Sequence, residues 1–177
     1  YDMVVTNVGN DPISDGYVGF YFDCDVGADF EFWEDDLTGS FRNRGIGYII
    51  DNDGDFGANA PLADRIFAFK FLNNSFSAKD TSFNWWRGNS PLYDFGPRQR
   101  GTLQDPFRDF GTGGIGTPMG DANKYYVMRF PEWDYDQIQT YSISNNDPIW
   151  LEPNPSTDAD FSDGNDARML MSLGPFQ

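Results

Sequence analysis

Hydrophobic and aromatic residues alternate with small or polar residues in several short segments. In residues 16–24 the alternation places Val18, Phe20, Phe22 and Cys24 on one side of an extended chain. Successive side chains of a strand point to opposite faces of its sheet, so this period of two predicts a strand with one buried face. Two further segments show the same alternation, residues 65–72 through Phe67, Phe69 and Phe71, and residues 166–173 through Ala167, Met169, Met171 and Leu173.

Shorter apolar runs bounded by turn residues predict additional strands at residues 1–8, 45–50 and 124–130. A helix is indicated at only one place, residues 132–142, because Pro131 precedes it and its first positions are acidic. Residues 84–123 lack a period and are rich in Gly, Pro and aromatics, which predicts a long ordered loop. The expected fold is therefore an all-β, antiparallel sandwich, jelly-roll-like, with long loops and at most one or two short helices.

The composition agrees with many short strands in one unit. The chain has 177 residues with 17 Phe, 9 Tyr, 5 Trp, 19 Gly and 11 Pro, which suits aromatic strands joined by tight turns. One core is sufficient for a chain of this length, so we expect a single domain over residues 1–177. No run of residues approaches the roughly 20 apolar positions of a membrane span, so membrane insertion is not expected.

The charge of the chain excludes some partners. Lys and Arg number 12 and Asp and Glu number 28, for a formal net charge of −16. A nucleic-acid partner is not expected, because neutralising phosphates requires a basic surface. The chain has no His, which removes the usual general base and zinc ligand, and Cys24 is its only cysteine. A thiolate between two aspartates is electrostatically disfavoured, so Cys24 is interpreted as a structural residue. Without a His and without a reactive Cys, the protein is interpreted as a non-enzyme.

Aspartates cluster just after two predicted strands. The motif Asp51-Asn52-Asp53-Gly54-Asp55 follows the apolar run ending at Ile50, and Asp23-Cys24-Asp25 ends the first alternating segment. Calcium binds six to eight oxygens, and alternating aspartates in a curled loop can direct several carboxylates at one ion. We therefore predict calcium as the cofactor, with Asp23, Asp25, Asp51, Asp53 and Asp55 as ligands. The motif is not an EF-hand, because Leu62 occupies the twelfth position and no helices flank it.

Two weaker alternatives remain open. A third acidic stretch, from Asp158 to Asp166, is more typical of turns than of a metal site. Trp85, Trp86 and Trp133 are candidates for stacking on sugar rings in a carbohydrate-binding module, although core packing is the more ordinary role for them. A glycoside hydrolase that uses a pair of acidic residues is a further alternative, but with 28 acids some pair always has suitable spacing.

Four segments resemble stretches of large secreted bacterial proteins of uncharacterised function: residues 17–27, 116–126, 134–138 and 166–176. Many such proteins carry a C-terminal secretion-sorting domain or other surface anchors. The resemblance implies a secreted or cell-surface protein whose partners are other segments or subunits of the same surface protein, and possibly glycans. In that group the Gly-Pro-Phe stretch is followed by more chain, so we expect residues 1–177 to be a fragment that offers an open sheet edge for strand addition.

Overall fold

The computed structural model describes most of the predicted strands and part of the loops between them. The described residues are 2–26, 36–52, 66–72, 80–87, 100–102, 105–107, 120–130, 133–134, 164 and 166–176. In chain order the elements are β1 (Gly16–Asp23), β2 (Asp36–Phe41), β3 (Ile46–Asp51), β4 (Ile66–Lys70), β5 (Asp80–Arg87), β6 (Arg100–Thr102), β7 (Asp105–Phe107), α1 (Gly120–Arg129) and β8 (Ala167–Phe176).

The strands form two three-stranded antiparallel sheets and a small hairpin. The first sheet has the order β1-β8-β5, the second β2-β3-β4, and β6 pairs with β7. The first sheet is extended at β5 by an isolated parallel bridge between Phe83 and Trp133. The all-β class is thus confirmed, whereas the jelly-roll-like sandwich stays a prediction.

Side chains of the two sheets share one hydrophobic core. Ile49 of β3 packs in the same buried cluster as Phe83 and Trp85 of β5 and Met169 and Met171 of β8. The phenylalanine rings of β1 meet those of β4 and of Phe71, which follows β4, at one side of this core. Phe20 packs on Phe69 and Phe71, and Phe22 packs on Phe67 and Phe69. The alternation in residues 16–24 and 65–72 therefore predicted the correct inward faces.

Helix α1 covers the opposite face of the first sheet. Its residue Val127 is buried in a second cluster with Trp86 of β5 and Leu170 of β8. Met128 lies against Gly19 of β1, where an added Cβ would come within 3.0 Å of its sulfur. β8 consequently lies at the centre of the sheet with both faces covered, and residues 167–174 are all buried.

Several expectations about individual segments are wrong. Residues 124–129 belong to α1 rather than to a strand, Phe130 follows the helix, and residues 2–8 have no regular secondary structure. The supposed loop 84–123 contains the end of β5, the β6–β7 hairpin and the start of α1. The helix predicted for residues 132–142 falls almost wholly outside the described residues, and Trp133 is in a strand bridge. Within the described part of the chain, no helix has the length and apolarity to span a membrane.

Candidate metal site

The pairing of β1 with β8 brings together acidic residues from distant parts of the chain. Asp23, the last residue of β1, lies opposite Arg168, the second residue of β8. Asp25 follows β1 by two positions, and Asp166 immediately precedes β8. Because the two strands are antiparallel, the C-terminal end of β1 and the N-terminal end of β8 meet at the same end of the sheet.

One carboxylate oxygen from each of Asp23, Asp25 and Asp166 lies within 4.8 Å of the others. We call these three residues the acidic triad. Asp23 and Asp25 are exposed, and Asp166 is half-buried. Three carboxylates offer up to six oxygens, which approaches the number that calcium requires. The acidic triad is thus an oxygen-rich and partly accessible site.

Arg168 already supplies one positive charge to the acidic triad. Its Nη1 lies 2.6 Å from Asp166 Oδ1 and donates a hydrogen bond to the Asp166 carbonyl at 3.0 Å, and its Nε lies 3.4 Å from Asp23 Oδ1. Burial disfavours the charged guanidinium, but the hydrogen bond and charge of Asp166 and the charge of Asp23 outweigh it, so the pKa of Arg168 is raised. One guanidinium against three carboxylates leaves an excess of negative charge.

Burial, and after it this excess of negative charge, shift the pKa values of neighbouring groups. Partial desolvation raises the pKa of Asp25, and the charges of Asp166 and Asp23 raise it further, while Arg168 acts in the opposite direction. Burial raises the pKa of the Cys24 thiol, with contributions from the charges of Asp23, Asp36 and Asp25. The thiolate form of Cys24 is therefore disfavoured, in agreement with a structural role.

The strong sequence motif after β3 is described only in part. Asp51 is the last residue of β3, is largely buried, and lies opposite Asp36 in the pairing of β3 with β2. Asp53 and Asp55 lie outside the described residues, so their role as ligands stays a prediction. In the described part of the chain, the third acid that joins Asp23 and Asp25 is Asp166 and not Asp51.

The second sheet is connected to the segment that carries Asp25. The buried carboxylate of Asp36 accepts a hydrogen bond from the backbone N–H of Val26, at 3.2 Å for Oδ1 and 3.4 Å for Oδ2. Val26 in turn packs in the core that the two sheets share. The chain leaving β1 is therefore fastened to the start of β2 directly beside the acidic triad.

The tryptophans do not form a surface platform. Trp85 and Trp86 are 1% and 3% exposed, in the two hydrophobic clusters, so neither offers a ring face to a sugar. Trp133 is half-buried, stacks on Phe83 and donates a hydrogen bond from Nε1 to the Thr81 carbonyl at 2.6 Å. The burial of Trp85 and Trp86 argues against the alternative of sugar stacking and agrees with core packing, the more ordinary role, and it leaves Trp133 as the only one of the three with substantial accessible surface.

Sequence reasoning missed three residues at this end of the sheet. Arg168 is the only basic residue in residues 166–176, and only the strand register shows that it lies opposite Asp23. Asp166 was assigned to a turn. Tyr21 is 48% exposed, stacks on Trp86 at 5.8 Å between centroids, and donates a hydrogen bond from its hydroxyl to Asp23 Oδ2 at 3.3 Å. An exposed aromatic ring therefore adjoins the acidic triad.

A second buried aspartate has a structural role. The Asp134 carboxylate accepts a hydrogen bond from the Trp85 backbone N–H at 3.0 Å, and the Asp134 N–H donates one to the Phe83 carbonyl at 2.8 Å. These bonds hold residues 133–134 beside β5 and satisfy buried backbone groups. Asp134 is thus occupied in maintaining the sheet.

Comparison of the chain with protein-family models, with curated proteins and with solved structures gives no significant match.

Proposed function

We propose that the chain is a non-enzymatic structural and interaction module of a secreted or cell-surface bacterial protein, and that calcium bound at the acidic triad stabilises it. The observation that supports calcium is the approach of three carboxylates, from Asp23, Asp25 and Asp166, within 4.8 Å. The surface setting is supported by the resemblance of four segments to secreted bacterial proteins. The functional role of the ion is to hold the joined ends of β1 and β8.

The charge balance of the site favours a divalent ion. The acidic triad carries three negative charges and Arg168 one positive charge, so one Ca²⁺ compensates the remainder. Carboxylates crowded without a cation repel each other, and this repulsion by Asp166 and Asp23 adds to the larger effect of burial in raising the pKa of Asp25. Hard oxygen ligands in a partly exposed loop suit Ca²⁺ better than Zn²⁺, for which His and Cys are the usual ligands.

Arg168 sets a limit on the affinity. Its guanidinium already contacts Asp23 and Asp166, so an ion must share those two carboxylates with a fixed positive charge. We therefore expect a weak site of the extracellular class, with a dissociation constant of about 10⁻⁴–10⁻³ M. In millimolar calcium, a one- to tenfold excess over that constant, the ion stabilises the folded state by about 0.4–1.4 kcal/mol.

A thermal melt in calcium and in chelator tests the proposal. The expected result is a higher Tm in millimolar calcium, a loss of most of that increase in the Asp25→Asn variant, and its retention in a matched Asp11→Asn variant. Asp11 is exposed and outside the acidic triad. A Tm that is the same in calcium and in chelator would remove the metal from the proposal.

The exposed ring of Tyr21 favours carbohydrate binding as a second candidate function. Sugars stack on aromatic faces and donate hydroxyl hydrogen bonds to carboxylates, and Tyr21 lies beside Asp23. A glycan array probed with the wild type and with Tyr21→Ala distinguishes this role. Binding that disappears in the variant supports it, and absence of binding over a broad array leaves the structural module.

A further inference from the structure

The segment of residues 2–8, which we call the arm, exposes apolar side chains to an unusual degree. Val4 is 88% exposed and Val8 95%, and Met3 and Val5 are also exposed. β-branched residues favour a pleated, half-buried surface, yet residues 2–8 have no regular secondary structure. The arm thus has residues typical of a strand, and its exposed apolar side chains would be buried only by contact with a further surface.

The structure offers an acceptor for such a strand at the edge of the second sheet. In the described part of the chain β4 pairs with β3 alone, and no described strand pairs with its other edge. Phe67 and Phe69 point inward and are half-buried, whereas Ile66 is 54% exposed on the outer face. An edge of this kind is a template for pairing with another strand.

Charge is low on both surfaces in a chain of net charge −16. The arm contains one charged residue, Asp2, and β4 contains one, Lys70. The strand that lies across from β4, β1, is uncharged from Gly16 to Phe22. Like charges therefore do not prevent a close approach here, and the two charges that are present have opposite signs.

We infer that residues 2–6 of one copy of this chain add to the edge of β4 in a second copy, antiparallel, with Asp2 opposite Lys70. This register places Met3 opposite Phe69 and Val5 opposite Phe67, toward the aromatic side of the core. Val4 then faces Ala68 and Thr6 faces Ile66 on the outer side. Opposite charges and pairs of aromatic with β-branched or sulfur-containing side chains both stabilise neighbouring strands.

The exchange is reciprocal, with each copy donating its arm. Stable interfaces bury roughly 1,200–2,000 Å² in total, which one five-residue strand does not reach, and a twofold arrangement doubles the contact. The arm leaves its own copy through a local turn, in which Asn7 donates a hydrogen bond to the Asp11 carbonyl and accepts one from the Gly9 N–H, both at 2.8 Å. The inference does not depend on calcium, because the acidic triad is not part of the contact.

Sedimentation of the 177-residue chain over a concentration series tests the exchange. The expected result is a dimer whose fraction rises with protein concentration. Asp2→Lys or Lys70→Asp alone should weaken association at least ~10-fold, equivalent to ~1.4 kcal/mol, by opposing like charges across the strands. The Asp2→Lys/Lys70→Asp double variant should restore it. A wild type that stays monomeric, or a double variant that is not restored, overturns the inference.

Disulfide trapping tests the register directly, in a background with Cys24→Ser. Directly opposite residues of antiparallel strands have Cβ atoms about 4.5–5.5 Å apart, near the range that a disulfide bridges. A mixture of the Val4→Cys and Ala68→Cys chains should form a mixed disulfide dimer on oxidation. A mixture of Val4→Cys with Tyr21→Cys, an exposed position on β1, is the matched control. Equal trapping in both mixtures overturns the assignment to β4.

Discussion

The carboxylate of Asp36 accepts a hydrogen bond from the backbone N–H of Val26 across the boundary between the two sheets. Asp36 begins β2 and is fully buried, and Val26 follows β1 by three positions and lies in the shared core. The bond connects the segment carrying Asp25 to the second sheet. Stability of the core and geometry of the acidic triad are therefore linked through one side chain.

Replacing Asp36 by Ala should destabilise the protein by about 1–3 kcal/mol, because the buried Val26 N–H loses its acceptor. Urea unfolding followed by tryptophan fluorescence measures the change. The exposed Asp11→Ala variant should stay within about 0.5 kcal/mol of the wild type. An equal effect in both variants would show that the hydrogen bond contributes nothing specific.

Replacing Arg168 by Met should destabilise the protein in chelator and increase its response to calcium. The substitution keeps much of the apolar stem but removes the positive charge that faces Asp23 and Asp166. Since both acids retain some solvent contact, we expect a loss of about 1–3 kcal/mol, below the cost of breaking a fully buried pair. Melts in calcium and chelator should show a larger Tm increase than in the wild type. An unchanged increase would mean that Arg168 and the ion do not compete.

The raised pKa of Asp25 predicts how stability depends on pH without calcium. A carboxyl group whose folded pKa is above its unfolded value of 3.8 binds its proton more tightly in the folded state. Its contribution to stability is therefore present at low pH and is lost as pH rises through the folded pKa. In chelator, the wild type should therefore lose unfolding free energy relative to the Asp25→Asn variant as the pH rises from 4. A difference that is constant with pH would contradict this assignment.

Gly47 of β3 should tolerate no larger side chain. An added Cβ would lie 2.8 Å from Met171 Sδ and 2.9 Å from Phe83 Cδ2, both in the core shared by the sheets. Gly47→Val should therefore destabilise by about 1–3 kcal/mol through overpacking. Ala68→Val, on the exposed face of the neighbouring strand, is the control and should be nearly neutral in urea unfolding. Similar losses in both variants would place the effect outside the core.

The sequence pattern was sufficient for the alternating strands, including β8 with both of its faces covered, and failed for the short aromatic run of residues 124–130. The alternation in β1 and β4 predicted the inward rings, because period two is decisive when one face meets solvent. Residues 124–130 were predicted as a strand, since a short aromatic run does not distinguish a strand from a helix. Their helical state is accompanied by the packing of Val127 on Trp86 and Leu170, a tertiary contact that local propensity does not encode.

The candidate site was predicted in part. Asp23 and Asp25 were recognised from their spacing at the end of a strand. Asp166 and Arg168 were not, because they are more than a hundred positions away and join the site only through the register of β1 with β8. Core packing is the more ordinary role expected of Trp85 and Trp86, but the sequence does not show that these adjacent residues enter opposite faces of a strand covered on both sides.

The central place of β8 has a consequence for the order of assembly. Residues on its two sides, Phe20 of β1 and Phe83 of β5, both pair with Met171, which follows Phe20 by about 150 positions. The first sheet therefore cannot close until β8 has been synthesised, and until then β1 and β5 lack the strand between them. Such long-range pairing makes folding slow and leaves strand edges open to aggregation. We expect folding to be limited by the arrival of this one strand.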